Sequence, residues 1–566
     1  YTYRAANTNY MFNSDLLANA NQELTNDISG TLTVGFHLDH RRTDATNVGG
    51  TAFVLLDAPA TFSNTLNYTP GEGLTITRSA ALYGEASLDM FKQVFVRGTG
   101  RMESASTYGP DAKQSYFYPS ASVAWQFSEL PFVKEKLVRD NSIFSFGKLR
   151  FAYGEAANQP GAYQTKTYFG VANPGNGWTE ALRGTQYTGG GTSRSTSLGN
   201  SMLGPEMTSE TEFGFDLRFL NDRISLSASK YVNKTTDALL AVSVAASAGY
   251  TSRTANAAKL ENKGTELQLI AEWLRIEPFS WTTTINWSQN FNKVTDLSGV
   301  TVVGIGGFTG AVSSIVLNQP VGVMYGTRWA RNPDRSLMLD ANGFAYADAA
   351  SGVIGDPNPI WRAGIINTLR YERLTLNVVL DISHGGKIWN GTKGALYSYG
   401  TDKDMDMWTT ISAAQASTLK NWSGKTPSAV IAGSATQKRY YLNSDGSVSF
   451  RGKIGNFGGP DVILDQDWYN LGPGGGINGA PTEAFMENGG FVKLREVSLS
   501  YTFPLRYFGM QSATVSVTGR NLKIWTDYTG VDPETNLGGS GTNALGIDYF
   551  NNPSTKTWIV SLQIEY

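Results

Sequence analysis

The sequence predicts an all-β protein, a transmembrane antiparallel β-barrel of about fourteen strands. Three observations carry this. Only 17% of the residues are charged while 12% are aromatic and 62 of 566 are Gly, against about 25% charged and about 7% Gly in soluble domains. Apolar and polar residues alternate with period two in segment after segment. The connections between those segments are alternately short and long, as in bacterial outer-membrane barrels with tight periplasmic turns and long extracellular loops.

The alternation is cleanest at the C-terminus. Trp558, Val560, Leu562, Ile564 and Tyr566 alternate with Ile559, Ser561, Gln563 and Glu565. Successive side chains of a strand point to opposite faces, so one face is apolar and ends in aromatics. Phe213, Phe215, Leu217 and Phe219 repeat the pattern, as do Trp281, Thr283, Ile285 and Trp287. So do Leu374, Leu376, Val378, Leu380 and Ile382, then Val497, Leu499, Tyr501 and Phe503. Segments centre near Leu32, Gly84, Gly98, Val123, Leu149, Phe215, Ala228, Leu267, Ile285, Ile365, Val378, Leu499, Val515 and Leu562. Each is about ten residues long, the length a tilted strand needs to cross a bilayer.

Short connections fall at Met90–Gln93, Leu220–Arg223, Arg275–Pro278, Tyr371–Arg373 and Pro504–Met510. Long ones cover 39–75, 154–209, 235–262, 294–359, 384–490 and 525–555. The spans 102–115 and 128–142 are medium connections, on the long and the short side respectively. This rhythm brings the last strand down to the periplasmic rim at Tyr566. In lipid an unpaired backbone N–H or C=O costs several kcal/mol, so the strands must close on themselves or on others. Glu85, Arg97, Asp216 and Asp381 fall on the polar parity, which faces the lumen, and a mean hydropathy of −0.24 is compatible with insertion because half of each strand meets water.

Other classes fit less well. No run of about 18 apolar residues exists for a membrane helix; the nearest, Val300–Leu317, is broken by Gly, Ser and Thr and reads as a flexible loop. A formal net charge of −2 with interspersed signs disfavours nucleic-acid binding. The absence of Cys suits an oxidising export route. The start at Tyr1, with neither Met nor a signal peptide, reads as a processed or partial chain. No nucleophile elbow, P-loop or His-pair zinc motif appears, so no enzyme and no cofactor is expected. Of the three His, His37 sits on the polar parity of its strand, which makes it a lumen-facing residue.

Eight motifs resemble the SusC/RagA-like group of TonB-dependent outer-membrane transporters of Bacteroidetes. Arg101-Met-Glu-Ser-Ala-Ser-Thr-Tyr-Gly109 is similar to R-x-D-G-S-S-x-F-G, with Glu103 in place of Asp. Tyr118-Pro-Ser-Ala-Ser-Val-Ala-Trp125 resembles F-P-S-x-S-x-x-W, and Lys148-Leu-Arg-Phe-Ala-Tyr-Gly154 with Asn158-Gln159 resembles K-L-R-x-S-Y-G…G-N-Q. Leu203-Gly-Pro-Glu206 with Glu210 and Glu212, Asn262-Lys-Gly-Thr-Glu-Leu267 and Gly355-Asp-Pro-Asn-Pro359 follow in the family's order. Leu494-Arg-Glu-Val-Ser-Leu-Ser-Tyr501 is next, and the series ends with Gly519-Arg-Asn-Leu522, Trp525-Thr-Asp-Tyr528 and Asp532-Pro-Glu534.

The resemblance implies a 22-stranded barrel around an N-terminal plug, a SusD-like surface lipoprotein as partner, and energising by the TonB complex acting on the plug. It implies an oligosaccharide or peptide cargo and an outer-membrane location. No plug and no TonB-binding segment is recognised in these residues, and the first strands of such a barrel are lacking too. Competing readings are a siderophore or cobalamin receptor, a barrel component of a surface assembly without import, and a soluble lectin-like β protein.

Candidate contacts lie in the long loops. Tyr397, Tyr399, Trp408, Trp422, Tyr440 and Tyr441 offer aromatic faces to cargo or to the lid partner, since such rings combine an apolar body with a polar tip; Trp178, Tyr187 and Trp468 belong to the same group. Asp402-Lys-Asp-Met-Asp406 has alternate carboxylates as some Ca²⁺ loops do, without the Gly and Glu of an EF-hand. Trp558 and Tyr566 form the aromatic-ended terminal strand that resembles the signal read by the barrel-assembly machinery.

Overall fold

The computed structural model describes residues 2–138, 143–171, 192–433, 439–477, 479–505, 509–539 and 541–566. The chain divides into two compact units. The first comprises Tyr1–Asp222, Ser227–Lys263 and Thr295–Gly299; the second comprises Arg223–Leu226, Gly264–Val294 and Val300–Tyr566.

The first unit holds β1 (Thr2–Thr25), β2 (Ile28–Phe53), β3 (Thr65–Met90), β4 (Val94–Ala105), β5 (Tyr116–Trp125), β6 (Phe144–Asn158), β7 (Glu206–Phe219) and most of β8 (Ile224–Ser243). Neighbours follow chain order. Three strands have residues in both units: β8, β9 (Ser252–Ile276) and the strand that follows it. In the second unit β10 (Phe279–Asp296) precedes two short pairs, β11 (Val302–Phe308) with β12 (Ala311–Val316) and β13 (Val323–Gly326) with β14 (Gly352–Gly355). Then come β15 (Trp361–Tyr371) and β16 (Leu374–His384). A long insertion contributes β17 (Trp408–Ile411), β18 (Tyr440–Leu442), β19 (Val448–Gly455) and β20 (Val462–Asp465). The strands β21 (Phe491–Pro504), β22 (Ser512–Thr526) and β23 (Thr557–Glu565) close the list. The wall order here is β10-β15-β16-β21-β22-β23.

All fourteen expected segments are strands. A further long strand, β1, escaped the period-two reading because Met11-Phe12 and Leu16-Leu17 put apolar residues side by side and Asn interrupts the rest. Its register on β2 is nevertheless unbroken from Thr2↔Gly50 to Glu23↔Ser29.

The registers assemble one apolar and one polar face. Phe213 pairs with Phe151 and Phe215 with Leu149, while on the opposite face Asp216 lies beside Lys148 and Arg150, the latter at 3.1 Å. Leu380 pairs with Ile365 and Leu376 with Leu499. On β2 the exposed residues Leu32, Val34, Phe36 and Leu38 share one parity. The other parity carries His37, whose Nδ1 lies 2.8 Å from Asp15 Oδ1. Contiguous exposed apolar rows of this extent would not be stable in water and suit a hydrocarbon surround.

Three expected loops are structured. The spans 39–75 and 235–262 consist largely of ladder, because β2 and β3 pair from Ile28↔Met90 out to Phe53↔Thr65 and β8 runs on to Ser243. At about 3.3 Å per residue such strands run well beyond a hydrocarbon core of about 30 Å. Val300–Leu317, expected as a flexible loop, contains the β11–β12 hairpin, with Ala311, Ser313 and Ile315 buried. Thr309 and Gly310, the latter at φ +93°, make the turn; the glycines that looked like breakers lie within a ladder.

Candidate functional site

The span 384–490 was expected to be a long loop with aromatic contacts. It is a folded insertion with one core of its own and a second that it shares with Phe344 of the preceding connection. The chain leaves β16 through Gly385 and Gly386, at φ +79° and +82°, a conformation that a side chain disfavours. Helix α1 (Gly391–Tyr399) starts where the Asn390 side chain accepts the Lys393 N–H at 2.9 Å. Helix α2 (Ala413–Thr418) starts with a Ser412/Gln415 capping box. Helix α3 (Gln466–Asn470) starts at Asp465, which accepts the Trp468 N–H at 2.9 Å. These caps satisfy N–H groups that the helix itself leaves orphaned.

Strand β20 lies between two apolar clusters. Val462 and Leu464 join Phe344, Met405, Trp468 and Tyr469. Ile463 points the other way, into Ile411, Ala416, Tyr440, Val448 and Phe450. A strand covered on both faces reads as a continuous apolar run, which Val462-Ile463-Leu464 is.

This packing sorts the six loop aromatics. Tyr440 is buried, and its hydroxyl donates to the equally buried carboxylate of Asp465. Burial pushes the Tyr440 hydroxyl and the Asp465 carboxyl upward from their ordinary values, the latter in spite of the hydrogen bonds it receives. Tyr397 packs edge-on against Tyr469 at 5.0 Å and donates to Asp404 at 2.6 Å. Trp422 lies half-buried against the first cluster. The other three are open: Tyr399 is 63% exposed, Trp408 52% and Tyr441 42%.

Trp408 and Tyr441 come together, their ring centroids 5.4 Å apart at an interplanar angle of 58°. Strands β17 and β18 both pair with β19, and alternation sends Trp408, Thr410, Tyr441, Ser449 and Arg451 to the face opposite Phe450 and Tyr440. The Arg451 guanidinium sits 5.8 Å from the Trp408 ring and 2.9 Å from Asp406. Trp178 and Tyr187 lie outside the described residues, and Trp468 is buried.

The carboxylates of Asp402-Lys-Asp-Met-Asp406 do not converge. Asp402 accepts the Asp404 N–H at 2.9 Å, Asp404 binds Tyr397, and Asp406 binds Arg451. Among the described residues no cluster of three or more His, Asp or Glu is placed to hold a metal ion. At the terminal strand Trp558 and Tyr566 are both exposed, with Trp558 opposite Gly519 of β22.

A second constellation pins the segment after β22. A register shift between Leu494 and Glu496 makes Arg495 the extra residue of a β-bulge, so that Lys493, Arg495 and Glu496 all come to the polar side. Lys493 Nζ lies 3.0 and 2.9 Å from the two oxygens of Asp532 and also binds Glu534. Arg495 bridges Asp381 (2.6 Å) and Glu534. Ser554 donates to Asp532. The Lys493 and Asp532 side chains are only 3% and 4% exposed. Burial alone would raise both acids, yet the hydrogen bonds from Ser554 and Lys493 to Asp532, and from Arg495 and Lys493 to Glu534, hold both below the ordinary carboxylate range. Sequence reasoning quoted Asp532-Pro-Glu534 as a motif but missed its partners. The available signal was two cations, Lys493 and Arg495, two residues apart within an apolar strand.

The model of the family "TonB dependent receptor-like, beta-barrel" matches residues 1–378. The chain belongs to this TonB-dependent receptor family. Among curated relatives, TonB-dependent receptor P26 of Formosa agariphila is 25% identical over 557 residues, covering 91% of this chain and 49% of its own length. TonB-dependent receptor SusC of Bacteroides thetaiotaomicron is 22% identical, covering 86% of this chain and 43% of its own. This TonB-dependent receptor chain thus spans about half the length of the curated relatives it matches. The structure of the RagAB peptide transporter superposes with a TM-score of 0.70 at 16% identity, covering 99% of this chain and 56% of that one, which establishes the shared barrel fold. Outer-membrane location, the all-β barrel class and a receptor rather than an enzyme all follow from this membership.

Proposed function

We propose that the protein takes part in TonB-dependent import of oligosaccharides or peptides across the outer membrane, working with a SusD-like surface lipoprotein. The observation that carries this reading is the insertion between β16 and β21: a loop region packed around two apolar cores that presents Trp408, Tyr441 and Arg451 on one open face. Aromatic and Arg side chains exposed together are the residues from which recognition hot spots are made. The motif resemblance to the SusC/RagA-like group implies a lipoprotein partner and an oligosaccharide or peptide cargo, and the fold shared with the RagAB peptide transporter supports the peptide alternative. Energy transfer would run through a TonB-contacting plug in the wider protein.

The test is affinity purification of the whole transporter from its native outer membrane, followed by uptake of labelled oligosaccharides and peptides. Co-purification of a lipoprotein and uptake that stops when the proton gradient is collapsed are expected. Trp408→Ala with Tyr441→Ala should cut cargo or lipoprotein affinity by about tenfold or more, as loss of a hot-spot pair does. Uptake that persists without the gradient, or a double variant with unchanged affinities for both, would overturn the reading.

A further inference from the structure

Arg362, at the start of β15, is a guanidinium without a counter-charge. Its ladder neighbours are Ser288 of β10 and Ser383 of β16, so it stands on the polar face of the wall. Among the described residues its side chain makes no ion pair and no hydrogen bond. Close by in the fold, Arg495 and Lys493 are both engaged by carboxylates.

Two cavities share Arg362. One, of about 260 Å³, reaches from Pro357 to Asp381 and Glu534. The other, of about 360 Å³, is lined by Ser288, Asn290, Asn292, Asp356 and Trp361 among others. This larger volume falls within the range of small-ligand sites. The turn at Gly355–Pro359 separates them: Asp356 and Asn358 line the larger cavity, Pro357 the smaller, and Pro359 both.

The larger cavity has a definite chemistry. Trp361 is stacked on His384 at 5.1 Å and 22°, on the opposite face of β15 from Arg362. Asp356 uses Oδ1 twice, accepting from the Asn358 N–H at 2.9 Å and from its side-chain amide at 2.8 Å. Its Oδ2 has no hydrogen-bond partner among the described residues. A fitting occupant therefore brings an oxyanion for the planar fork of Arg362 and hydroxyl donors for Asp356. A sugar acid carries both on one ring. A peptide C-terminus supplies the oxyanion but not the ring of hydroxyls.

We propose that Arg362 anchors a subsite for a carboxylate-bearing saccharide unit in the cavity between β10 and β15. This rests on the import reading and narrows its cargo to acidic oligosaccharides. Arg362 takes the carboxylate in a two-point contact, and Asp356 accepts a hydroxyl from the same ring.

The test is calorimetric titration of the complete transporter with a panel of uronate tetrasaccharides and with the same compounds after reduction of their carboxyl groups. At least one uronate should bind at least about tenfold more tightly than its reduced form, the scale of a hydrogen bond to a charged group. Arg362→Met should erase that difference while leaving the reduced compound's affinity unchanged. Arg362→Lys should keep part of it, and Asp356→Asn should weaken the uronate and its reduced form alike, because an amide NH₂ replaces the oxygen that accepts the ring hydroxyl. Heat-modifiable migration on gels checks that each variant is folded. Equal affinity of every uronate and its reduced form, or an undiminished preference in Arg362→Met, would overturn the proposal while saccharide binding itself upholds import. A tetrapeptide with a free C-terminus that depends on Arg362, where no uronate does, would overturn it in favour of a peptide carboxylate. Absence of binding by saccharide and peptide alike, with no lipoprotein recovered, would count against the import reading itself.

Discussion

The wall strands and the insertion between β16 and β21 reach order by opposite means. Along β2, paired on both sides, the large side chains of one parity remain exposed: Leu32 is 53% accessible and Val34 46%. Stability there comes from continuous backbone ladders and from an apolar face turned to hydrocarbon. In the insertion the regular segments are only two to nine residues long, and Phe450 and Ile463 are fully buried. Order there comes from two small cores, capped helix ends and buried polar pairs such as Tyr440–Asp465. The wall therefore depends on its surroundings, whereas the insertion depends on side-chain packing within itself and against Phe344 of the preceding connection.

The largest effect that separates the two mechanisms is expected in the insertion. Phe450→Ala removes the side chain at the centre of its second cluster, and core Phe→Ala changes cost about 3–5 kcal/mol. Proteolysis within residues 385–490 should accelerate, while the heat-modifiable migration typical of a folded barrel remains. Loss of both together would show that insertion and wall are one cooperative unit.

The ion cluster behind Asp532 should respond almost as strongly. Lys493→Met leaves Asp532 buried with its principal counter-charge gone, and breaking a buried pair costs about 3–5 kcal/mol. Hydrogen exchange across 527–556 should rise at neutral pH. Acid should imitate the substitution in the native sequence. The folded pKa values of Asp532 and Glu534 lie below their ordinary ones, so their contribution is complete above the ordinary carboxylate range and fades as pH falls through the lowered values. Protection that is the same at pH 7 and at strongly acid pH would break this account.

A smaller penalty, about 2–4 kcal/mol, is expected for Val560→Arg, which places a cation at mid-depth on the lipid face. Ser561→Arg, one residue on, points to the other face and should be nearly silent. Comparing folding yields of the two variants in lipid vesicles reads the parity directly; equal yields would contradict it.

How much of this was legible depends on the region. Period-two alternation located every wall strand but β1, because lipid on one side and water on the other force the two parities apart. For β1 the alternation is blurred by Met11-Phe12 and Leu16-Leu17, and only pairing with β2 reveals it. The ladder extensions beyond Asp39 and Thr235 were read as loops because, past the hydrocarbon, both faces meet water and polar residues fill both parities. The insertion mixes short strands with short helices, so no single period marks it. Among its six aromatic candidates, composition could not tell the buried Tyr440 from the exposed Tyr441 next to it; pairing with β19 does, since adjacent strand residues face opposite ways.

Sequence by itself determined the membrane-facing parity, the alternation of short and long connections, and the family motifs, since these are local or periodic consequences of a chain crossing lipid. Only the tertiary structure decided which aromatics are open, that Lys493 and Arg495 meet Asp532 and Glu534, and that Arg362 stands without a counter-charge between two cavities. Those facts depend on contacts between residues 39 to 114 positions apart, on a bulge at Arg495, and on cavities formed where several segments meet. No local pattern encodes them, because the partners are selected by packing rather than by spacing.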